Sequence, residues 1–324
     1  MNVVKKINGI EKYPVLYSPA YLQSHNGVCD YGYFVENGIV LPFSVRKKTI
    51  FKWIQLDSDF FGDISKEAKT QFLDEMVRYV KANMKVSHIL STNTAIFDVH
   101  PTDSLYCKFG TYLVDLSQNE EDLFKNLHSK HRNVVRKAQT DGISVEHGQD
   151  QASNAVKLMK DTFDRQNKVS SFGPSLIRQM EPLGDMVDYW VAKDSEGNLQ
   201  GSAILLWNKG NSCYYMHGGS VAHTKPGAMN LLMWEAMKCM KERGVKWFDF
   251  VGARITTESG SKLEGIQRFK SRFGATMKIG YMFRIVVNKP YYWLYNLAVN
   301  VAYLFLVHKM PTDMIKEERG KGNL

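Results

Sequence analysis

The chain has 324 residues, of which 44% are hydrophobic, 23% charged and 12% aromatic. That profile suits a globular protein with material for two modest domains, and it excludes disordered, collagenous and disulfide-scaffold chains. Lys and Arg number 42 against 33 Asp and Glu, giving +9 and a pI near 9.1, a balance that points to an anionic partner: a phosphate-bearing small molecule, RNA or an acidic membrane surface.

The N-terminal stretch MNVVKKINGIEKYP has no apolar core of signal-peptide length. Cys29, Cys107, Cys213 and Cys239 are scattered, with no C-x-x-C pair and no short spacing to His. A reducing, cytoplasmic setting is expected, and metal ligation has no support. Residues 31–56 predict three strands, YGYFVE, GIVLPFSV after the turn Glu36-Asn37-Gly38, and TIFKWIQL. A helix is expected over 66–84, with Phe72, Met76, Tyr79 and Val80 on its apolar side. Short strands follow near 86–90 and 108–116, then a long helix over 120–140 and another over about 151–166.

The order then repeats. Strands are expected at 187–193, 199–207 and 212–219, then a helix from about 228 to 243 closed by Gly244. The buried strand KWFDFVG, a short helix over 262–273 closed by Gly274, and the strand MKIGYMFRIVV complete the second set. Three strands, helix, strand, helix, strand is a mixed α/β layout, and it occurs twice with variations. Beyond it, 291–307 is the chain's long apolar run, flanked by Lys289, His308 and Lys309. At 17 residues it falls short of the roughly 20 a spanning helix needs. Packing on the protein's own core and lying on the inner membrane surface are the two readings of it. Trp293, Leu294, Leu297, Val301, Leu304 and Phe305 recur at helical steps, with Asn296 and Asn300 on a flank.

Candidate chemistry concentrates in two stretches. In WFDFVGAR, Asp249 sits within an apolar strand, and a buried carboxylate must be paired, hydrogen-bonded or near a site. Alternation puts Phe248 and Phe250 on one face and Asp249 on the other, and Gly252 and Arg254 follow at the strand's carboxyl end, where ligand-binding residues gather. On the preceding strand, Tyr215 and His217 are expected to share one face and Tyr214 and Met216 the other. Tyr and His both serve as general acids or bases, and both are common in satisfied cores. The loop 220–227 ahead of a helix start is a candidate anion site. The second stretch runs from 125 to 138: Lys125, Lys130, Arg132, Arg136 and Lys137 are five cations with no carboxylate among them. Arg132 and Arg136 lie at i,i+4, where a guanidinium pair can hold a diphosphate; a solvated face is the alternative.

HSKHRNVVRKAQTDGISVE, then PGAMNLLMWEAMKCMKERGVKWFDFVGA, then IQRFKSRFGA resemble, in that order, the Fem-type branch of the GNAT acyltransferase superfamily. The resemblance covers 27–287 and includes D-F-x-G at 249–252 and F-K-x-x-F-G at 269–274. It implies two tandem GNAT-like lobes, each a mixed β-sheet flanked by helices: an N-terminal lobe over 1–147 with the basic helix 120–140, a C-terminal lobe over 148–288 with the active site, and an apolar helix and basic tail over 289–324. It also implies that Phe269 and Lys270 lie at the catalytic centre and that Tyr215 or Tyr214 borders it.

Two departures from the family pattern stand out. The seryl-tRNA-synthetase-like helical arm of the larger Fem enzymes is missing. The coenzyme A phosphate loop, aligned on 223–228, keeps only Ala228, with Pro226 in place of a glycine and therefore without a donor N–H. The expected function is transfer of an acyl or aminoacyl group to an amine of a cell-envelope precursor, peptidoglycan or polysaccharide, either phosphate-bearing or lipid-linked. Lys270 is the expected oxyanion donor, with Asp249, Tyr215 and His217 taking the amine proton or orienting substrate, and Arg132, Arg136, Arg254 and Tyr214 binding it. The preferred donor is an acyl-CoA such as acetyl-CoA, bound at Lys225, Gly227 and Ala228. Aminoacyl-tRNA is the alternative donor, and a catalytically inactive glycan-binding scaffold is the alternative from another class. Peripheral association with the inner membrane accompanies the lipid-linked acceptor.

Overall fold

The computed structural model describes residues 1–166, 173–307 and 311–324. The elements begin with β1 (Asn2–Val4), α1 (Pro19–Gln23), β2 (Val28–Glu36), β3 (Ile39–Lys48), β4 (Phe51–Leu56), α2 (Lys66–Asn83), β5 (His88–Ser91) and β6 (Leu105–Asp115). Next come α3 (Glu120–Asn126), α4 (Ser129–Thr140), β7 (Ser144–His147), α5 (Ala152–Asp164), α6 (Pro174–Met180), β8 (Val187–Lys193), β9 (Leu199–Trp207) and β10 (Ser212–Ser220). The last are α7 (Ala228–Glu242), β11 (Trp247–Asp249), α8 (Lys262–Ser271), β12 (Thr276–Val286), α9 (Lys289–Val307) and α10 (Met314–Gly320). The mixed α/β class expected from the repeated pattern is the class observed.

The chain divides into two compact units: Met1–Thr111 with Gly252–Ser259 and Lys278–Leu324, and Tyr112–Val251 with Gly260–Met277. In the first unit, β2, β3 and β4 form an antiparallel meander, α2 follows, and β5 returns parallel to β4. In the second, β8, β9 and β10 form the meander, α7 follows, and β11 returns parallel to β10. The doubled layout is thus an architectural repeat.

The expected boundaries at 147 and 288 do not match this division. Each half gives its closing strand to the other unit's sheet. β12 pairs antiparallel with β5, and the end of β6 pairs antiparallel with β11, Val114 opposite Phe248. Residues 112–147 follow β6 into the second unit, and 278–324 follow β12 into the first. A strand's hydrophobic pattern shows that it pairs, not with which neighbour, so these pairings are not legible in sequence order.

Each sheet buries one face against its helix. In the first unit, Phe34, Leu41, Ile54 and Leu56 meet Phe72, Leu73, Met76 and Val80 of α2. In the second, Trp190, Leu205, Phe248 and Phe250 meet Leu231, Leu232 and Met237 of α7 and Val135 and Ala138 of α4. Burial of each such side chain contributes about 1.5–3 kcal/mol.

The helix expected over 120–140 is two helices. Leu127 (ψ 140) and His128 (ψ 141) are extended. His128 starts α4, its Nδ1 accepting the Lys130 N–H at 3.2 Å. The strand expected at 246–252 is only three residues long, because Val251 (φ 47) and Gly252 (φ 71) both take the left-handed conformation and end it.

No described helix is long and apolar enough to cross a membrane. The stripe of α9 does not pack on the core: Trp293, Leu294, Leu297, Val301, Leu304 and Phe305 are all exposed. Its basic flank, His308 and Lys309, lies outside the described residues.

Candidate active site

The site forms in the second unit, at the carboxyl end of β11. Asp249 is buried, and one of its carboxylate oxygens accepts the Val251 N–H at 2.7 Å. This closes a tight turn and helps hold a β-branched residue in the left-handed region, where such residues are rarely found. Strain of this kind persists only where the surroundings over-determine it, and it concentrates at functional sites. The turn aims the Val251 carbonyl at Lys270, whose Nζ donates to it at 2.6 Å.

Lys270 is carried by α8. That helix starts where the Ser261 hydroxyl accepts the Glu264 N–H at 3.2 Å, a Ser-x-x-Glu start. Phe269 and Phe273, one turn apart, anchor the helix: their rings are 5.0 Å apart, and Phe273 stacks on Phe250 at 5.2 Å. Burial pulls the Lys270 pKa down to about 8, while the Asp249 charge works in the other direction. At neutral pH Lys270 is therefore mostly an ammonium, poorly hydrated, in a position to donate to a developing negative charge.

Tyr214 stands in register with Asp249 across the parallel pair β10/β11. Tyr215 faces the other side and meets Phe250 edge-on at 6.2 Å. Burial pushes its phenol up to about 12, which makes it a hydrogen-bond donor and not a base at neutral pH. A Cβ at Gly218 would lie 1.8 Å from the Tyr215 hydroxyl, so the glycine makes room for it. His217 does not share that face. A bulge at Met216 shifts the register, so that Tyr215 opposes Leu205 and His217 opposes Ile204. Successive residues of β9 point to opposite faces, and His217 turns away with Ile204.

The basic and loop residues are used differently from expectation. The Arg132 guanidinium donates to the Lys125 carbonyl at 2.7 Å and to that of Leu127, so it caps the end of α3. Arg136 is exposed and lies over the Phe124 ring at 5.1 Å, leaving its outer edge to solvent. Arg254 belongs to the first unit, where it pairs with Glu317 at 2.8 Å and with the fully buried Glu318 of α10.

In the loop before α7, the Lys225 N–H donates to Gln200 Oε1 at 2.9 Å and the Ala228 N–H to the Lys225 carbonyl at 3.2 Å. A Cβ at Gly227 would come within 2.3 Å of the Val134 carbonyl of α4, so that helix closes over the turn. Two of the amides expected to cradle a coenzyme A phosphate are thus engaged within the protein. His131, given no role from sequence, is buried against Phe273 at 4.7 Å and Phe269 at 5.6 Å. Its Nδ1 has no hydrogen-bond partner among the described residues. Burial, with Arg272 and His128 adding to it, lowers its pKa to about 4, so it is neutral at pH 7.

In the second unit a meander is followed by a helix, a parallel strand ending in a turn and a lysine-bearing helix. Residues 125–271 match the acetyltransferase (GNAT) domain family. The curated relatives similar in sequence include lipid II:glycine glycyltransferases. The chain is 31% identical over 131 residues to a lipid II:glycine glycyltransferase of Staphylococcus haemolyticus, covering 40% of this chain and 30% of that protein. A lipid II:glycine glycyltransferase of Staphylococcus epidermidis is 28% identical over 149 residues, covering 44% and 35%. The matched region thus spans about a third of the length of these relatives. The fold is that of the FemX crystal structure, with a TM-score of 0.69 at 16% identity, covering 91% of this chain and 99% of that one. It is shared with the C-terminal domain of a putative lysylphosphatidylglycerol synthetase from Agrobacterium fabrum, with a TM-score of 0.56 at 15% identity and coverage of 90% and 94%.

Proposed function

We propose that this protein transfers an aminoacyl group from aminoacyl-tRNA to an amine of a lipid-linked peptidoglycan precursor. The observation that carries this is Lys270: a partly desolvated ammonium, held by the Val251 carbonyl and steadied by Asp249, within the region similar to the acetyltransferase (GNAT) domain family. The amine attacks the ester carbonyl, the tetrahedral intermediate collapses by breaking the ester C–O bond, and the departing 3′-oxygen of the tRNA takes up the proton that the amine gives up, so no covalent enzyme intermediate is needed. The protein positions both reactants and offers Lys270 to the oxyanion of the tetrahedral intermediate. Tyr215 stays protonated and donates or orients, while Asp249 acts through the turn and through Lys270.

The donor preference moves from acyl-CoA to aminoacyl-tRNA for two reasons. The loop amides are already engaged within the protein, and the named relatives are glycyltransferases. Purified protein given lipid II and glycine-charged tRNA should yield labelled lipid product, and the same protein given labelled acetyl-CoA should not. Product from acetyl-CoA alone would overturn the donor assignment.

Arg136 is the candidate phosphate contact on α4. Arg136→Ala should raise KM for the phosphate-bearing substrate, with a shallower salt dependence. Arg132→Ala should instead lower stability by about 1–3 kcal/mol, because carbonyls at the end of α3 lose their donor. Unchanged KM and salt slope in Arg136→Ala would leave that side chain as a solvated charge.

A further inference from the structure

Helix α9 is amphipathic the wrong way round for a protein in water. Two of its tyrosines face inward: Tyr295 packs on Trp53 at 5.6 Å and on His88 at 5.0 Å, and Tyr292 on His88 at 5.1 Å. Its outward face carries Trp293, Leu294, Leu297, Val301, Leu304 and Phe305, with Trp293 64% and Phe305 75% exposed. Lys289 is the single charged residue between 289 and 307. Over 19 residues the helix is about 28 Å long, so the bare stripe is far larger than a scattered surface leucine.

A second element joins this face. The tip linking β3 to β4 reads Lys47-Lys48-Thr49-Ile50-Phe51-Lys52. It is fixed to the start of α9, because the Tyr291 hydroxyl donates to the Ile50 carbonyl and accepts the Lys52 N–H at 3.0 Å, and Phe51 packs on Tyr291 at 5.5 Å. Ile50 is 73% exposed, and Lys47, Lys48 and Lys52 around it are exposed. The apolar stripe is therefore rimmed at one end by four lysines, counting Lys289, with no carboxylate in either segment. Apolar and tryptophan side chains bordered by cations match the interfacial zone of an anionic bilayer, whereas a soluble protein partner would have to supply both a long apolar groove and acidic groups.

We propose that α9 and the β3–β4 tip form one docking surface for an anionic lipid membrane. The helix lies in the interfacial plane with its stripe in the acyl boundary, and the lysines meet the headgroups. This deepens the proposed function by naming the surface that brings the protein to a lipid-linked acceptor. The test needs no substrate, so its failure and failure of the transfer assay are separate results.

The full chain is floated with vesicles of phosphatidylcholine, alone and with 30 mol% phosphatidylglycerol. Binding to the anionic vesicles is expected, weakening with salt and much reduced on phosphatidylcholine alone. Leu297→Glu with Phe305→Glu should abolish flotation while leaving the circular dichroism and Tm unchanged, since both side chains are exposed. Lys47→Gln, Lys48→Gln and Lys52→Gln together should weaken binding by roughly fivefold per lysine. Absence of the full chain from floated anionic vesicles, or equal flotation of the double glutamate variant, overturns the proposal. So does a stable dimer that the glutamates dissociate without any vesicle binding, because a second copy would then cover the face.

Discussion

Lys270→Ala should leave the fold intact and lower turnover by about 10²–10³-fold, the usual cost of removing one oxyanion donor. Lys270→Arg should not restore the rate, because a planar fork cannot take the place of a point charge set against the Val251 carbonyl. The pH profile carries the sign. Burial has lowered this ammonium to about 8, so it is charged below that value and neutral above it. If the charged form is the donor, kcat falls as pH rises through about 8. Asp249 favours the charged form, so Asp249→Asn should move that limb to lower pH. A kcat that rises through the same window would make Lys270 a base and would sink the oxyanion assignment.

Arg254→Ala should cost about 3–5 kcal/mol of stability, the penalty for removing one partner of a buried ion pair. Glu318 is fully buried and, among the described residues, would keep Lys321, at 3.1 Å, as its cationic partner. Thermal melting should show a Tm lower by roughly 4–7 °C for a chain of this size, and the segment around α10 should become protease-sensitive. Folded Arg254→Ala protein at low temperature should turn over at the normal rate. An unchanged Tm with a raised KM would instead return Arg254 to the substrate-binding role expected from sequence.

Much of the architecture could be read before any coordinates. Apolar alternation located both meanders, and the three- and four-residue spacing of Phe72, Met76 and Val80 gave the buried side of α2. The F-K-x-x-F-G stretch picked out the lysine that the structure sets beside Asp249. What was misread depends on register and on partners that are distant in sequence. One bulged residue, Met216, sends His217 to the opposite face from Tyr215, and strict alternation cannot anticipate a bulge. The ion pairing of Arg254 is not legible in sequence, because its partners, Glu317 and Glu318, lie more than sixty residues downstream. The capping contacts of Arg132, a candidate diphosphate contact by sequence, depend on a helix break at Leu127 that the helical pattern over 120–140 does not mark. Val251 leaves no mark in the sequence at all, since nothing about a valine advertises positive φ.

The exchange of closing strands between the two halves determines how the chain can be cut. A polypeptide ending at 147 would carry β6 without β11 and would present β5 as a raw edge where β12 belongs. The complementary piece, starting at 148, would lack α3, α4 and the end of β6, and so part of the core around Phe248. Each piece alone should be sticky and poorly soluble, because unpaired apolar edges template aggregation. Produced together, the two should find one another and restore both sheets without a peptide bond between them. Neither half is a module in its own right, because each unit is completed by a strand that comes from the other half of the sequence.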